Sequence, residues 1–187
     1  MHDDVKAALE VLQNGGVILY PTDTIWGIGC DACNEEAVKR IYAIKNRVDA
    51  KSMLVLLENA ALLDQYIDDV PEIAFDLIEV TDKPLTIIYD GAKNLARNLI
   101  ADDGSIGIRI TAEAFSSDLI RRFKRPVVST SANISGKPSP ACFAEIDQKI
   151  IDSVDYVVKY RQDDTHKAVP SDIIKLGRDG GIKIIRP

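Results

Sequence analysis

The sequence predicts a mixed α/β (α+β) fold, a twisted mixed sheet flanked by helices. Three observations point there. Short apolar runs at 17–20 and 53–57 have no polar face, as strands inside a sheet do. Stretches with apolar residues at helical spacing lie between such runs. Near the C-terminus two β-branched runs meet across Asp179-Gly180-Gly181, a hairpin signal. With 187 residues, 46% hydrophobic and 28% charged, the chain has the size and composition of one soluble domain over 1–187.

Asp3 or Asp4 caps a first helix running to about Asn14, with Val5, Ala8, Leu9 and Leu12 on its apolar face. Gly15-Gly16 ends it where a positive φ is wanted. The strand at 17–20 stops at Pro21-Thr22-Asp23-Thr24-Ile25-Trp26-Gly27-Ile28-Gly29. Short polar side chains at a strand end, followed by glycines that admit close backbone approach, suit a ligand. A capped turn with Trp26 in the core is the plainer reading. Asn34 caps a helix over 35–45 that buries Ala37, Val38, Ile41 and Ile44. It runs out into Lys45-Asn46-Arg47-Val48-Asp49-Ala50-Lys51-Ser52, which puts cations at the sheet's rim before the strand at 53–57. A solvated helix end would use the same residues.

Asn59 caps 60–66, Pro71 opens a helix to about Val80, and Asp90-Gly91 turns the chain after a strand ending at Tyr89. Residues 95–100 are ambiguous, at most a helical turn. The 105–110 strand sets Arg109 opposite its apolar face, a position usually open to solvent. Ser116 or Ser117 caps 118–123, 141–151 reads as helix, and 156–158 as strand. The polar, aperiodic stretch 161–168 is expected to be a mobile loop, and 170–176 and 182–186 are the hairpin strands. One stretch stands out, Pro126 to Pro140, where Ser129, Thr130, Ser131, Asn133 and Ser135 crowd the end of a β-branched strand. Short side chains hold donors and acceptors in place at little rotamer cost. A Ser/Asn-rich turn is the alternative.

The remaining features narrow the function. A net charge of −6 argues against a general basic face for nucleic acid, though not against a local cationic pocket. No apolar run approaches ~20 residues, so no membrane contact is expected, and an acidic start is unlike a signal peptide. Three cysteines fit a reducing, cytoplasmic setting. Cys30-Asp31-Ala32-Cys33 is half a zinc site at best, so no metal ligands are assigned. No nucleophile elbow, phosphate-binding P-loop or dinucleotide fingerprint is present, and two histidines make a His-based triad a poor reading.

The run Tyr20 to Gly29, Lys45-Asn46-Arg47, Lys83-Pro84-Leu85-Thr86, Ile106-Gly107-Ile108-Arg109 and Ser129 to Gly136 closely resembles YrdC-type threonylcarbamoyl-AMP synthases, in order and spacing from about Val11 to Arg186. The resemblance implies a YrdC-like fold with an open cationic cavity, in the short single-domain form, since the chain ends at Pro187 without an additional C-terminal domain. It implies a nucleotidyltransferase that makes threonylcarbamoyl-AMP and pyrophosphate from L-threonine, bicarbonate and ATP with Mg²⁺. A tRNA-modifying threonylcarbamoyl transferase complex would use the product. On the same basis Lys45 and Arg47 are catalytic. Arg47, Lys51, Ser105, Asn133, Ala141 and Arg186 bind ATP, and Thr24, Arg109, Ser131 and Ser171 bind threonine. Arg109 suits a carboxylate because guanidinium offers two parallel hydrogen bonds. With the closing domain absent, 161–168 becomes a candidate lid.

The chain departs from the family pattern at Val48, Lys83, Thr111 and Asp172, and has Leu56 where some relatives carry histidine. Two alternatives of other kinds stand beside the lead. One is an RNA-binding or ribosome-associated factor of the same fold, making at least a weak RNA contact. The other is a paralogue adenylylating a different substrate.

Overall fold

The computed structural model describes residues 1–46, 53–165 and 169–187. Helix α1 (His2–Gln13) buries Val5, Ala8 and Leu12 and ends before Gly15, whose φ of +73° reverses the chain. Neither Asp3 nor Asp4 is its cap. Both lie inside the first turn, where negative charge offsets the exposed N–H groups. Asp4 turns inward and accepts hydrogen bonds from the Tyr156 hydroxyl (2.6 Å) and from the Lys159 and Tyr160 amides (3.1 and 3.0 Å).

Strand β1 (Ile18–Tyr20) is wholly buried, and β2 (Gly27–Gly29) pairs with it antiparallel. The glycines expected to open a loop toward a ligand therefore serve packing first. A Cβ on Gly29 would lie 2.5 Å from the Val128 carbonyl and 2.6 Å from a Tyr20 ring carbon. Neither neighbour is a flexible side-chain tip, so Gly29→Ala is expected to cost about 3 kcal/mol. That lowers the melting temperature by roughly 6–12 °C for a chain of this size, readable in a thermal melt. An unchanged melt would show that the two strands can move apart.

Helix α2 (Glu35–Ile44) starts where Asn34 Oδ1 accepts from the Glu36 and Ala37 amides, as its sequence predicts. Strand β3 (Leu54–Leu57), a 3₁₀ turn at Ala60–Gln65, α3 (Ile73–Val80), β4 (Leu85–Tyr89), a 3₁₀ turn at Arg97–Leu99 and β5 (Ile106–Ile110) follow. Helix α4 (Ala114–Phe123) begins four residues before the expected start. Glu113, not Ser116 or Ser117, caps it by accepting from the Ser116 amide at 2.8 Å. Ser116 is buried instead, with its hydroxyl 2.8 Å from that of Thr111. Strand β6 (Val127–Ser131) leads to a region predicted as one helix over 141–151. The structure has a 3₁₀ turn at Phe143–Glu145 and a separate α5 (Gln148–Ile151). Asp147 in the middle caps the second piece through the Lys149 amide, which stops the first from continuing. Strands β7 (Tyr156–Val157), β8 (Asp172–Leu176) and β9 (Ile182–Arg186) complete the chain, the last two as the predicted hairpin with Gly180 at φ +79°.

Among the described residues the nine strands form one mixed sheet in the order β7-β1-β2-β6-β3-β5-β4-β8-β9. Three pairs are parallel (β1 with β7, β3 with β5, β4 with β8) and the other five antiparallel. Helices α1 and α4 pack on each other and against β1 and β3 respectively. Buried side chains of α4, chiefly Phe115, Leu119 and Ile120, join the core there.

Candidate active site

The pleat decides which side chains share a face. Register pairs Gly27 with Ser131, Ser129 with Leu54, Leu54 with Gly107, Gly107 with Ile88, Arg109 with Thr86, and Thr86 with Ile173. Directly paired residues point the same way, as do residues two apart on one strand. One sheet face therefore carries Gly27, Ser129, Ser131, Leu54, Gly107, Arg109, Thr86, Ile88 and Ile173 together. These residues line a cavity of about 840 Å³, to which Thr24, Trp26, Met53, Ser105, Ser171 and Arg186 add from strand ends and loops. That volume accommodates a nucleotide with a small second substrate. Part of the lining is apolar (Leu54, Ile88, Leu99, Ile106), a surface for a flat ring.

Arg109 is the most consequential residue in it. The sequence places a lone strand arginine toward solvent, yet Arg109 is 3% exposed. Its Nη2 lies 2.9 Å from Asp23 Oδ1, and 3.5 Å from the Thr22 hydroxyl. The ion pair is close but poorly aligned, so that Asp23 Oδ1 and Arg109 Nε have no hydrogen-bond partner among the described residues. Burial raises the Asp23 carboxyl above the usual range even though Arg109 opposes the shift, and burial lowers the Arg109 guanidinium. As a cation lining a cavity of this size, Arg109 suits an anionic ligand. Next to it the Thr86 and Ser171 hydroxyls lie 2.8 Å apart, and Arg186 donates to the Ser171 carbonyl through Nε (3.0 Å) and Nη2 (2.6 Å).

At the other end of the cavity Ser105 donates to Asp103 Oδ1. With the Ser105 amide and Lys175 adding to that bond, the exposed Asp103 carboxyl falls to about 2. Lys45 has a different setting from the one its motif implies. It is 1% exposed, and its ammonium donates to the carbonyls of Ser131 and Asn133 (2.5 and 2.8 Å) and to Asn133 Oδ1 (3.3 Å). The Asn133 side chain is also committed inward, accepting from Ser131 Oγ and donating to the Ile134 and Lys137 carbonyls. The polar stretch after β6 is thus a stapled turn, and the cavity is lined here by Ser129 to Ser131 at the end of β6 and by Ser139 beyond the turn.

Of the residues expected at the site, Thr24, Ser105, Arg109, Ser131, Ser171 and Arg186 line this one cavity. Lys45 and Asn133 stand behind its wall. Ala141 borders a much smaller pocket beside Thr24 and Trp26, and its amide donates to Glu145. Arg47 and Lys51 lie outside the described residues, as does Val48. Thr22 and Asp23 lie in the turn that the sequence marks as suited to a ligand, and Thr86 in a motif shared with the family, but the sequence assigns none of the three a role. An arginine in an otherwise apolar strand calls for a carboxylate, and Asp23 sits in the polar turn already singled out. The expected mobile loop is held at its start, where Arg161 pairs with Asp164 and donates to the Thr22 carbonyl.

A family model of Sua5, YciO and YrdC proteins, described as telomere recombination, matches residues 10–187. The chain belongs to the Sua5/YciO/YrdC family. A threonylcarbamoyl-AMP synthase of Pseudoalteromonas translucida is 34% identical over 157 residues, covering 82% of this chain and 84% of its own. One from Pseudomonas aeruginosa is 32% identical over 154 residues, with 82% and 83% covered. Among solved structures, P. abyssi Sua5 complexed with L-threonine superposes with a TM-score of 0.82 at 25% identity over 92% of this chain and 50% of that one. This chain thus spans half the length of that Sua5. E. coli YciO shares the fold, with a TM-score of 0.82 at 24% identity over 100% and 89%.

The departures from the Sua5/YciO/YrdC pattern have visible consequences. Leu56 pairs with Arg109 in register and is fully buried, so no polar group meets the guanidinium from β3. Thr111 brings a hydroxyl that is buried against Ser116. Lys83 is exposed, and the Asp172 amide donates to the Pro84 carbonyl at the start of β8.

Proposed function

We propose that the protein is a threonylcarbamoyl-AMP synthase, joining L-threonine, bicarbonate and ATP with release of pyrophosphate. The observation that carries this reading is Arg109, a guanidinium that lines a cavity large enough for both substrates. The names of the curated relatives and the threonine complex of P. abyssi Sua5 support it. Arg109 grips the amino-acid carboxylate, and Asp23 fixes the plane of the fork. The hydroxyls of Thr24, Thr86, Ser131 and Ser171 surround the amino acid. The nucleotide lies along Leu54, Gly107 and Ile88 toward Ser105, with Arg186 at its phosphate side. Gly107 has only ordinary contacts available to an added Cβ (3.4 Å and beyond), so its hydrogen keeps this floor open for a ring.

The chemistry asks little of a general base. Threonine's amine takes up CO₂ from bicarbonate, and the anionic carbamate oxygen attacks the α-phosphorus. Catalysis is then positioning plus stabilisation of charge on the phosphoryl oxygens. Arg47 and Lys51, six and two positions before the cavity residue Met53, are the cations proposed for that charge. Among the described residues no three His, Cys, Asp or Glu side chains converge on a metal position. Asp103 already bonds Ser105 and Lys175. This donor set suits Mg²⁺ carried on the triphosphate, where the ion neutralises the departing pyrophosphate. Cytoplasmic location and supply of the product to a tRNA-modifying transferase complex belong to the same proposal.

The test is pyrophosphate release from ATP, measured with each substrate left out in turn. Release that requires threonine and bicarbonate together, and is abolished by a chelator and restored by Mg²⁺, is the expected result. Release without threonine, or none under any condition, would sink the proposal.

A further inference from the structure

Thr22 stands between two arginines. Its hydroxyl faces inward, bonded to the Thr24 amide (3.1 Å) and the Ile25 carbonyl (2.7 Å), 3.1 Å from the Thr24 hydroxyl and 3.5 Å from Arg109 Nη2. Its carbonyl faces outward and accepts from Arg161 Nη1 at 3.2 Å. Arg161 is itself held from two further sides. Asp164 Oδ2 accepts from Nε (3.1 Å) and Nη2 (2.9 Å), and Glu113 Oε1 lies 3.7 Å from Nη1. Glu113 is nearly buried, and its other carboxylate oxygen is the cap of α4.

The backbone adds a second observation. Arg161 has a φ of +67°, a left-handed conformation that a residue with a Cβ adopts only at a cost. The preceding residues are fixed: Asp4 holds the Tyr156 hydroxyl and the Lys159 and Tyr160 amides, and the Tyr160 ring stacks on Phe115. A rigid post thus delivers a long cationic side chain, through a turn better suited to glycine, onto one carbonyl. Behind that carbonyl the wall is thin. Thr24 and Trp26 line both the large cavity and a small pocket, about one water in size, bordered by Thr22, Arg161 and Asp164.

We propose that Arg161 is a positioning residue that holds the 22–24 turn, and through it Asp23 and Thr24, in the place where they orient Arg109 toward the amino-acid substrate. This rests on reading the cavity as an amino-acid adenylation site. Arg161 also offsets the charge of Glu113, which otherwise acts against ionised Asp23 beside Arg109. It touches neither substrate. Its influence falls on the amino acid and leaves the nucleotide alone, because its polar contacts among the described residues go to Thr22, Glu113 and Asp164 and none to Ser105, Gly107 or Ile88.

Three variants test this by pyrophosphate release, with thermal melts alongside. Arg161→Gly is at ease at φ +67° and is expected to melt within a few degrees of the parent, while the KM for threonine rises about tenfold and that for ATP stays within about twofold. Arg161→Lys keeps a cation near Thr22 and Glu113 and is expected to recover part of that loss. Asp164→Asn loosens the arginine without touching the backbone and should raise the threonine KM about threefold. A folded Arg161→Gly with an unchanged threonine KM, or with both KM values raised alike, overturns the inference. If Arg161→Gly fails to fold, an unchanged threonine KM in Asp164→Asn overturns it instead. A parent protein that releases pyrophosphate without threonine overturns the reading of the site, and this inference with it. Threonine dependence in the parent with no effect in the variants removes the inference alone.

Discussion

Arg109→Ala is expected to raise the threonine KM about 30-fold or more while the ATP KM moves by less than about threefold. A charge-assisted bidentate contact is worth roughly 2 kcal/mol or more in a buried site, and the guanidinium is 3% exposed. The substitution also strands Asp23, which loses its only ion-pair partner among the described residues. Breaking one half of a buried pair costs about 3–5 kcal/mol. The variant should therefore be assayed well below its lowered melting temperature. The control is the double variant Asp23→Ala/Arg109→Ala. If the two charges balance one another, it will be less destabilised than the sum of the singles, and it will still bind threonine poorly. Arg109→Lys keeps the charge but not the fork, so its threonine KM should lie between the parent and Arg109→Ala. Equal changes in both KM values would show that the cavity is divided differently.

Lys45→Met is expected to lower stability and turnover together. Its ammonium is 1% exposed and holds the Ser131 carbonyl and two oxygens of Asn133. Removing it leaves those buried acceptors without a strong donor, at about 3 kcal/mol or more. The turn from Ser131 to Lys137 then loosens, because the Asn133 amide that Lys45 holds by Oδ1 accepts from Ser131 there and donates to the Lys137 carbonyl through Nδ2. That turn supports Ser131, which lines the cavity, so kcat should fall by at least about tenfold as the melting temperature drops. A lysine acting directly on phosphate would give the opposite pattern: lost turnover with a normal melt. The two measurements on one variant separate positioning from direct catalysis.

Much of the architecture was legible because it rests on local causes. Asn34 before an apolar 3.6-residue repeat, Gly15 after one, and Gly180 between two β-branched runs each specify backbone within a few residues, and each stands where expected. The failures share a physical reason too. Ser116 and Ser117 are better caps than Glu113 by intrinsic preference, but burial of Ser116 against Thr111 outweighs that preference. The 141–151 stretch has helical composition, yet Asp147 captures the Lys149 amide and starts a new turn. Gly27-Ile28-Gly29 looks like a loop until Tyr20 and Val128 are seen filling the space where a Gly29 side chain would go.

The sequence by itself determined the class of fold, the extents of most helices and strands, and the family, since Lys45-x-Arg47, Arg109 and Ser131-x-Asn133 stand in order along the chain. It also singled out six residues that line one cavity. Tertiary structure alone decided what those residues do for each other. Register across β6, β3, β5, β4 and β8 puts Ser129, Leu54, Gly107, Arg109 and Thr86 on one face, and no local signal encodes register between strands far apart in sequence. The same long-range pairing buries Arg109 against Asp23, 86 residues away, and sets Arg161 on Thr22 across 139 residues. Whether a charge faces water or a partner depends on what the rest of the chain brings to it, and here it brought a carboxylate to one arginine and a carbonyl to the other.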